Sequence, residues 1–250
     1  MSHRKYNNAL INEKSPFALT ESFRTIRTNM QYTGNGEKCP VYAITSSDME
    51  AGKSIFAANI SQAFAQLGKK VVLLDCDLRK PVQHKIFGIE NRDGMSEFLA
   101  GLSGSFEKIT IHTKVENLDL ITAGRIPPNP TELLASANME KLLTSLKQKY
   151  DVIIIDFPPA NVVIDAIVPA EHITSYVIVV RCGRDKFQQI EEIISIIKQT
   201  NSNIAGFVLN DVNPKTSGIG NYRRYYSKYG YRYGRRRYYN DYYSDNHPKK

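Results

Sequence analysis

The chain has 250 residues and a formal net charge of +8, from 33 Lys and Arg against 25 Asp and Glu. This length suits one α/β domain of about 200 residues followed by a tail. The excess charge lies at the end of the chain, because residues 222–250 hold nine basic and two acidic residues. Attraction to nucleic acid or acidic lipid would therefore belong to the tail, and nucleic acid is not expected as a partner.

The cysteine pattern and the absence of long apolar runs indicate where in the cell the protein is expected. Cys39, Cys76 and Cys182 are isolated and odd in number, so they predict neither a disulfide framework nor a metal site. The first residues contain no apolar run typical of a signal peptide, and the longest apolar runs have the length of a strand. We therefore expect a cytoplasmic protein that reaches the inner face of a membrane through a partner or through its basic tail.

Helix and strand patterns alternate along most of the chain. Residues 1–15 are polar and predict a flexible amino-terminal segment. Residues 16–32 predict a helix. Its apolar stripe consists of Phe17, Phe23, Ile26 and Met30. Further along, strands are predicted at 41–45, 70–74, 117–121, 152–155, 176–180 and 204–209, and helices at 52–67, 138–149 and 187–199. This alternation predicts an α/β fold with a mostly parallel central sheet and helices on both faces, in which ligands bind at the carboxyl ends of the strands.

The first loop of chemical interest follows the strand at 41–45 and has the sequence SSDMEAGKS at residues 46–54. A Gly-Lys-Ser triplet between a strand and a helix suits phosphate binding: backbone N–H groups surround phosphate oxygens, the lysine reaches the β- and γ-phosphates, and the serine binds Mg²⁺. The match to G-x-x-x-x-G-K-[ST] is imperfect, because Ser47 replaces the first glycine. The predicted nucleotide-binding residues of this loop are Glu50, Ala51, Gly52, Lys53, Ser54 and Ile55.

Acidic residues follow two other apolar strands. Asp75 and Asp77 come after the strand at 70–74 and should point the same way, because side chains alternate along an extended chain. Asp156 ends the strand at 152–155, as the acid of a Walker B motif does. Solvated loop acids or a turn aspartate would give the same pattern. We predict that Ser54, Asp77 and Asp156 hold Mg²⁺.

Tyrosines are concentrated near the end of the chain. Ten of the fifteen tyrosines lie within 22 residues that contain no Leu, Ile, Val or Phe. Such a segment cannot build an aliphatic core and is predicted to be disordered. These tyrosines are Tyr222, Tyr225, Tyr226, Tyr229, Tyr231, Tyr233, Tyr238, Tyr239, Tyr242 and Tyr243. Attached to a nucleotide-binding body, they predict a substrate tethered to its own kinase.

Together these motifs resemble the bacterial tyrosine kinases (BY-kinases) of capsule and exopolysaccharide biosynthesis, within the MinD/ParA superfamily of P-loop NTPases. The resemblance rests on the Walker A loop, on the acidic pattern DCDLRKP at 75–81, and on the DFPP segment at 156–159. It extends to the E-x-x-R-x-x-R pattern in the first helix and to PPNPTELL at 127–134. The sequence VLN at 208–210 resembles the segment of the wider superfamily whose asparagine, here Asn210, lies on the base side of the nucleotide.

The resemblance implies an ATP- and Mg²⁺-dependent tyrosine autokinase. Lys53 would contact the phosphates, and Asp75 would accept the proton of the incoming tyrosine, although the order of Asp75 and Asp77 stays open. The domains expected are a flexible segment at 1–15, a P-loop kinase domain at 16–213 and an autophosphorylation tail at 214–250. Family members have glycine where this chain has Glu50, so we expect a strained positive φ there.

The resemblance also implies partners. Glu21, Arg24 and Arg27 would form contacts between the subunits of a ring-like homo-oligomer, in which tails are phosphorylated in trans. A simple alternative is that these charges pair along one solvated helix. A membrane-bound regulator of polysaccharide chain length would act as the activator, and a cognate tyrosine phosphatase would reverse the reaction.

Two other functions share some of these features. One is a MinD/ParA-like ATPase without kinase activity, but Asp48 stands where such proteins carry a lysine and the tyrosine tail then has no role. The other is a nucleotide-gated module that binds RNA or an acidic polymer through arginines interleaved with aromatic residues. Steep salt dependence of binding would distinguish the second alternative.

Overall fold

The computed structural model describes residue 6, residues 9–34 and residues 36–212. The predicted phosphorylation tail at 214–250, with all ten of its tyrosines, lies outside the described residues, and so does most of the predicted flexible segment at 1–15. The residues described up to Asn210 belong to one structural unit. The domain boundaries proposed from the sequence therefore stay predictions.

A seven-stranded sheet runs through the part of the chain that the structure describes, in the order β3-β4-β2-β5-β1-β6-β7. All neighbouring strands are parallel except β3 and β4, which are antiparallel. The strands are β1 (Val41–Ser46), β2 (Val71–Asp75), β3 (Thr110–His112), β4 (Leu118–Ile121), β5 (Val152–Asp156), β6 (Ser175–Arg181) and β7 (Ile204–Asn210). Strands β1, β2 and β5 are buried along their whole length, because each is apolar on both faces and both faces are covered. The predicted fold class is confirmed.

Helices cover both faces of this sheet. They are α1 (Phe17–Thr33), α2 (Lys53–Ala65), α3 (Gln83–Phe87), α4 (Met95–Leu99), α5 (Pro130–Leu134), α6 (Ala137–Lys149) and α7 (Phe187–Gln199). The strand β3 and the helices α3, α4 and α5 were not predicted, since elements of three to five residues are too short to show a periodic pattern. The predicted apolar stripe of α1 was wrong at Phe17. This first residue of the helix is 77% exposed, whereas Met30 is buried.

Helix α2, which follows the Gly-Lys-Ser loop, is anchored on the sheet and on its outer side. All of its residues except Ile55 are buried, because its alanines allow close contact with the sheet. On its outer side Phe56 stacks on Phe23 of α1, with ring centroids 5.7 Å apart. The Asn59 side chain bonds to the backbone of Ile11 at 2.7 Å and of Ala9 at 2.8 Å. Helix α2 is therefore held by the sheet on one side and by α1 and residues 9–11 on the other.

The strand order brings the three motif loops together. Strands β2, β5 and β1 are adjacent and parallel, so the loops that follow them leave the same edge of the sheet. In the register of β2 and β5, Asp75 pairs directly with Asp156. The acidic motifs and the glycine-lysine loop therefore meet at one place.

None of the helices in the described part of the chain has the length and apolar character needed to cross a membrane.

Candidate active site

Two residues with positive φ shape the loop between β1 and α2. Gly52 has φ of 92°, and a Cβ added there would overlap the side-chain nitrogen of Asn210. That nitrogen donates a hydrogen bond of 2.8 Å to the carbonyl of Ala51. Glu50 has φ of 63°, as expected from the sequence, which costs about 1–2 kcal/mol for a residue with a Cβ. Glu50 is exposed, whereas Ala51 is buried.

The ammonium group of Lys53 lies between two buried carboxylates. Its Nζ is 2.8 Å from Asp77 Oδ2, 3.4 Å from Asp156 Oδ1 and 3.3 Å from Ser54 Oγ. Desolvation lowers the pKa of Lys53, but Asp156 and Asp77 outweigh this effect and raise that pKa to about 12. Lys53 is therefore charged and neutralises the acids at the centre of the site.

Asp75 is the third carboxylate and is completely buried. Its Oδ2 accepts hydrogen bonds from the backbone N–H groups of Val82 at 3.2 Å and Gln83 at 3.0 Å. Its Oδ1 is buried and has no hydrogen-bond partner within the described residues. Burial, together with the nearby charge of Asp156, raises the pKa of Asp75 well above its ordinary value. Asp75 is thus a buried acid with a raised pKa, and one of its oxygens has no partner among the described residues.

Gln83 belongs to the site but was missed in the sequence. Its side-chain amide donates to Asp156 Oδ2 at 2.8 Å and to the Ser54 carbonyl at 3.0 Å. Asp156 is therefore held by Gln83 on one oxygen and by Lys53 on the other. Burial raises the pKa of Asp156, while Lys53 lowers it, and the net direction is upward. Gln83 follows the DCDLRKP motif by two residues, and that position was the only available signal.

A second network, beside these acids, was also missed. The Arg79 guanidinium contacts Asp165 through Nε at 2.8 Å and Nη2 at 3.1 Å, and Nη2 also donates to Thr131 Oγ1 at 3.0 Å. Thr131 in turn donates to Asp165 at 2.6 Å. Asp165 is fully buried. Arg79 and Thr131 lie in the two motifs that resemble the kinases, but nothing in the pattern indicated Asp165. The network joins the segment after β2 to α5.

The opposite side of the loop is braced by Asp185. Its carboxylate accepts hydrogen bonds from the Ser47 hydroxyl and from the backbone N–H of Arg181 at 2.7 Å. Ser47, which replaces the first glycine of the Walker A pattern, is buried. The hydroxyl therefore has a structural use here, since it ties the loop to the end of β6.

The charged residues of α1 lie apart from this cluster. Arg24 pairs with Glu21 one helical turn away at 2.6 Å, in an exposed position, which matches the alternative of a solvated helix pair. Arg27 donates to the Ala63 carbonyl of α2 at 2.9 Å. Burial and the charge of Arg24 lower the pKa of Arg27. Arg27 is therefore engaged within the chain, and the subunit contact predicted for these three residues stays a prediction.

The oxygen donors that could hold a cation are Ser54, Asp77 and Asp156. No cluster of three or more His, Cys, Asp or Glu residues arranged around a metal position occurs in the described ranges. Asp77 and Asp156 instead converge on Lys53. A metal bound here would therefore share its carboxylates with the lysine or displace it.

Comparisons with known proteins identify the family. The family model described as AAA domain matches residues 41–208. The chain is 34% identical to the putative tyrosine-protein kinase CapB of Staphylococcus aureus, over 88% of this chain and 94% of that protein. It is 32% identical to the tyrosine-protein kinase wzc of Salmonella typhi over 84% of this chain, but this spans only 29% of that longer protein.

The chain belongs to the bacterial tyrosine-protein kinases. The crystal structure of the chimerical protein CapA2B2 superposes with a TM-score of 0.75 at 35% identity, covering 85% of this chain and 91% of that one. The septum site-determining protein MinD of Pyrococcus horikoshii OT3, complexed with Mg-ADP, superposes with a TM-score of 0.59 at 22% identity, covering 72% of this chain and 76% of that one. This second likeness shows the P-loop fold. The resemblance to the BY-kinases is confirmed.

Proposed function

We propose that this bacterial tyrosine kinase uses ATP and Mg²⁺ to phosphorylate the tyrosine-rich tail of another copy of itself, and so regulates capsule or exopolysaccharide synthesis. The observation that carries the proposal is the convergence of Lys53, Asp75, Asp77 and Asp156 at the start of α2. Phosphoryl transfer needs charge neutralisation and positioning more than covalent chemistry, and this cluster offers both.

The residues of the loop would hold the nucleotide. Bound Mg·ATP supplies the transferable phosphoryl group and the cation that shields its charge. Backbone N–H groups from Glu50 to Ile55, at the start of α2, are suited to phosphate oxygens. Lys53 would exchange its present carboxylate partners for phosphate, while Ser54, Asp77 and Asp156 would take the metal. Asn210, which supports the loop through Ala51, would lie on the base side.

Asp75 is the proposed proton acceptor. Its Oδ1, which has no hydrogen-bond partner within the described residues, suits a general base beside the phosphate loop. A tyrosine hydroxyl has an ordinary pKa of about 10, so assistance from a carboxylate would speed its attack by about 10²–10⁴-fold. Asp77 is the alternative acceptor. Unlike Asp75, it pairs directly with Lys53.

The setting of the kinase is proposed from its family. Transfer would occur in trans within a ring-like homo-oligomer, with Glu21, Arg24 and Arg27 at the subunit contacts. A membrane-bound regulator of polysaccharide chain length would be its activator and would bring it to the inner face of the cell membrane. A cognate tyrosine phosphatase would reset the tail.

The test is incubation of the purified full-length protein with Mg·ATP, followed by intact mass measurement and peptide mapping. Mass increases of single phosphate steps should map to the tyrosines between positions 222 and 243. Asp75→Asn should lose at least 100-fold in rate. Lys53→Met should give no mass increase. Its matched control is Lys69→Met, at an exposed position outside the phosphate loop, which should keep full activity.

Three results would contradict parts of the proposal. Full activity of Asp75→Asn would exclude Asp75 as the proton acceptor and leave Asp77. ATP hydrolysis without phosphotyrosine, also after addition of the activator's cytoplasmic segment, would favour the ATPase alternative. The same phosphate yield in Lys53→Met and in wild type would exclude this site altogether.

A further inference from the structure

A groove lined by basic residues lies directly beside the proposed transfer site. It has a volume of about 530 Å³, and its walls come from the segment after β2 and from the loop after β4. Its cationic residues are Arg79, Lys80, Lys85 and Arg125, and no Asp or Glu of the described residues lines it. Pro81, Val82 and the 65%-exposed Ile126 form its apolar wall. Cations beside an apolar wall suit an acidic segment that also carries aromatic rings.

The groove and the acid cluster share one stretch of backbone. Within residues 79–85, the N–H groups of Lys80 and Val82 bind Asp77 and Asp75, at 3.0 and 3.2 Å. The side chains of Lys80 and Val82 line the groove. The Lys80 ammonium also lies 3.6 Å from Met49 Sδ, at the phosphate loop. A peptide in the groove would therefore lie next to the carboxylate proposed to accept the tyrosine proton.

The groove is built by fixed contacts. The side chain of Asn91 makes reciprocal hydrogen bonds with Gly124, whose carbonyl accepts at 2.7 Å and whose N–H donates at 3.1 Å. The Arg125 N–H donates to Glu97 Oε1 at 3.2 Å. The groove is also distant from the proposed base side of the nucleotide. The groove lies beside the loops after β2 and β4, whereas Asn210 belongs to β7, and the strands β5, β1 and β6 lie between them in the sheet.

The cations of the groove differ in how far they are already neutralised. Arg79 is paired with Asp165. Arg125 is 3.9 Å from both Asp93 and Glu97 and is 86% exposed, so these pairs are weak. Neither Lys80 nor Lys85 has a carboxylate partner within the described ranges. The groove therefore keeps a net positive charge that an incoming acidic segment can use.

The tyrosine-bearing residues 222–245 of the tail have two parts of opposite charge, and Lys249 and Lys250 follow them. Residues 222–237 hold six of the tyrosines with seven Lys or Arg and no acid, whereas residues 238–245 have the sequence YYNDYYSD, with four tyrosines, two aspartates and no basic residue. A basic groove attracts the second part and repels the first.

We propose that this groove is a substrate-selection site that binds the acidic segment 238–245 of a second copy of the chain, so that its tyrosines are phosphorylated before the arginine-flanked ones. The inference rests on the proposed kinase function. Each phosphate added to the segment increases its negative charge by about 1.5–2 and strengthens its attraction to the groove. The tail would be modified from its acidic end towards the body.

The first experiment is a time course of autophosphorylation by the full-length protein, with phosphotyrosines quantified by position. The initial rate at Tyr238, Tyr239, Tyr242 and Tyr243 should exceed that at the six earlier tyrosines by about threefold to tenfold, as expected from a few exposed ion pairs. Lys85→Glu/Arg125→Glu should abolish this preference. Lys69→Glu/Lys141→Glu changes the net charge equally at exposed positions outside the groove and should keep it.

A charge exchange makes the test specific. Asp241→Lys/Asp245→Lys should lower the rate at the late tyrosines in the wild-type body and restore it when combined with Lys85→Glu/Arg125→Glu. No restoration, or equal rates at early and late tyrosines in wild type, would overturn the proposal.

Peptide binding separates this inference from the proposed kinase activity. A fluorescent peptide of sequence YYNDYYSD should bind the full-length protein without ATP, and the groove variant should weaken it about threefold to tenfold. Groove-dependent binding without any phosphoryl transfer would support the groove and overturn the kinase proposal. Equal weakening in Lys69→Glu/Lys141→Glu, or equal displacement of the peptide by single-stranded RNA of the same charge, would mean general attraction to a basic chain and would refute the groove.

Discussion

Replacing Lys53 with methionine should destabilise the protein as well as inactivate it. Lys53 Nζ is the cation that faces Asp77 and Asp156, whose side chains are 8% and 0% exposed. Removing one partner of a buried ion pair leaves uncompensated charge and costs about 3–5 kcal/mol. A domain of this size is typically stable by about 5–15 kcal/mol, so the loss is a large fraction of the total. At about 2–4 °C per kcal/mol, the midpoint of thermal unfolding should fall by about 6–20 °C.

The destabilisation should depend on pH. Burial raises the pKa values of Asp75 and Asp156 in the folded protein above their ordinary value of 3.8, and without the ammonium of Lys53 they rise further. The folded variant then holds protons that the unfolded chain releases, so its stability falls as the pH increases from about 4 through the raised pKa values. The difference in free energy of unfolding between wild type and variant should therefore be larger at pH 8 than at pH 5.

The assay is urea unfolding of both proteins at these two pH values, with Lys69→Met as the control at an exposed site. If the free energy of unfolding depends on urea concentration with the same slope in both proteins, a lower midpoint in the variant shows that its stability has changed. If the two free energies of unfolding differ by less than about 1 kcal/mol at pH 8, or by the same amount at both pH values, Lys53 does not neutralise the buried acids. Either outcome also decides whether Lys53→Met can serve as a well-folded inactive variant.

Three further substitutions test the loop and its support. Glu50→Gly should stabilise the protein by up to about 1 kcal/mol, as measured by thermal unfolding. A residue with a Cβ at this positive φ costs about 1–2 kcal/mol, and removing this cost outweighs the additional backbone entropy that glycine loses on folding. Gly52→Ala should weaken nucleotide binding at least tenfold by calorimetry, because the new Cβ would be strained at positive φ and would displace Asn210. Arg79→Ala should lower the free energy of unfolding by about 1.5–3 kcal/mol, measured in urea, because buried Asp165 loses its charged hydrogen bonds.

Each of these has a result that contradicts it. A destabilised Glu50→Gly would show that contacts of the glutamate outweigh its strain. Unchanged nucleotide affinity of Gly52→Ala would mean that the loop rearranges freely around Asn210. Arg125→Ala is the control for Arg79→Ala, since Arg125 is 86% exposed, and equal losses in both would remove the special role of the Asp165 pair.

Local pattern was enough to predict the alternation of strands and helices and the three motif loops. Strands β1, β2 and β5 are short apolar runs, and such runs are stable only when buried on both faces, which indicates a parallel sheet. The positive φ at Glu50 was implied by the family resemblance, because family members have glycine at that position. Phe17 was misplaced because helical periodicity describes a face but does not say where the covering surface ends.

Which side chains meet depends on the tertiary structure. Lys53, Asp75 and Asp156 could each be assigned from the sequence to a segment that follows a strand, but only the order β2-β5-β1 places them at the same edge of the sheet. For Gln83 the sequence offered only its position two residues after the DCDLRKP motif, and for Asp165 it offered no signal. The physical reason is that contacts between segments far apart in the chain depend on strand order and packing, whereas helix and strand periodicity reports only neighbours within one element.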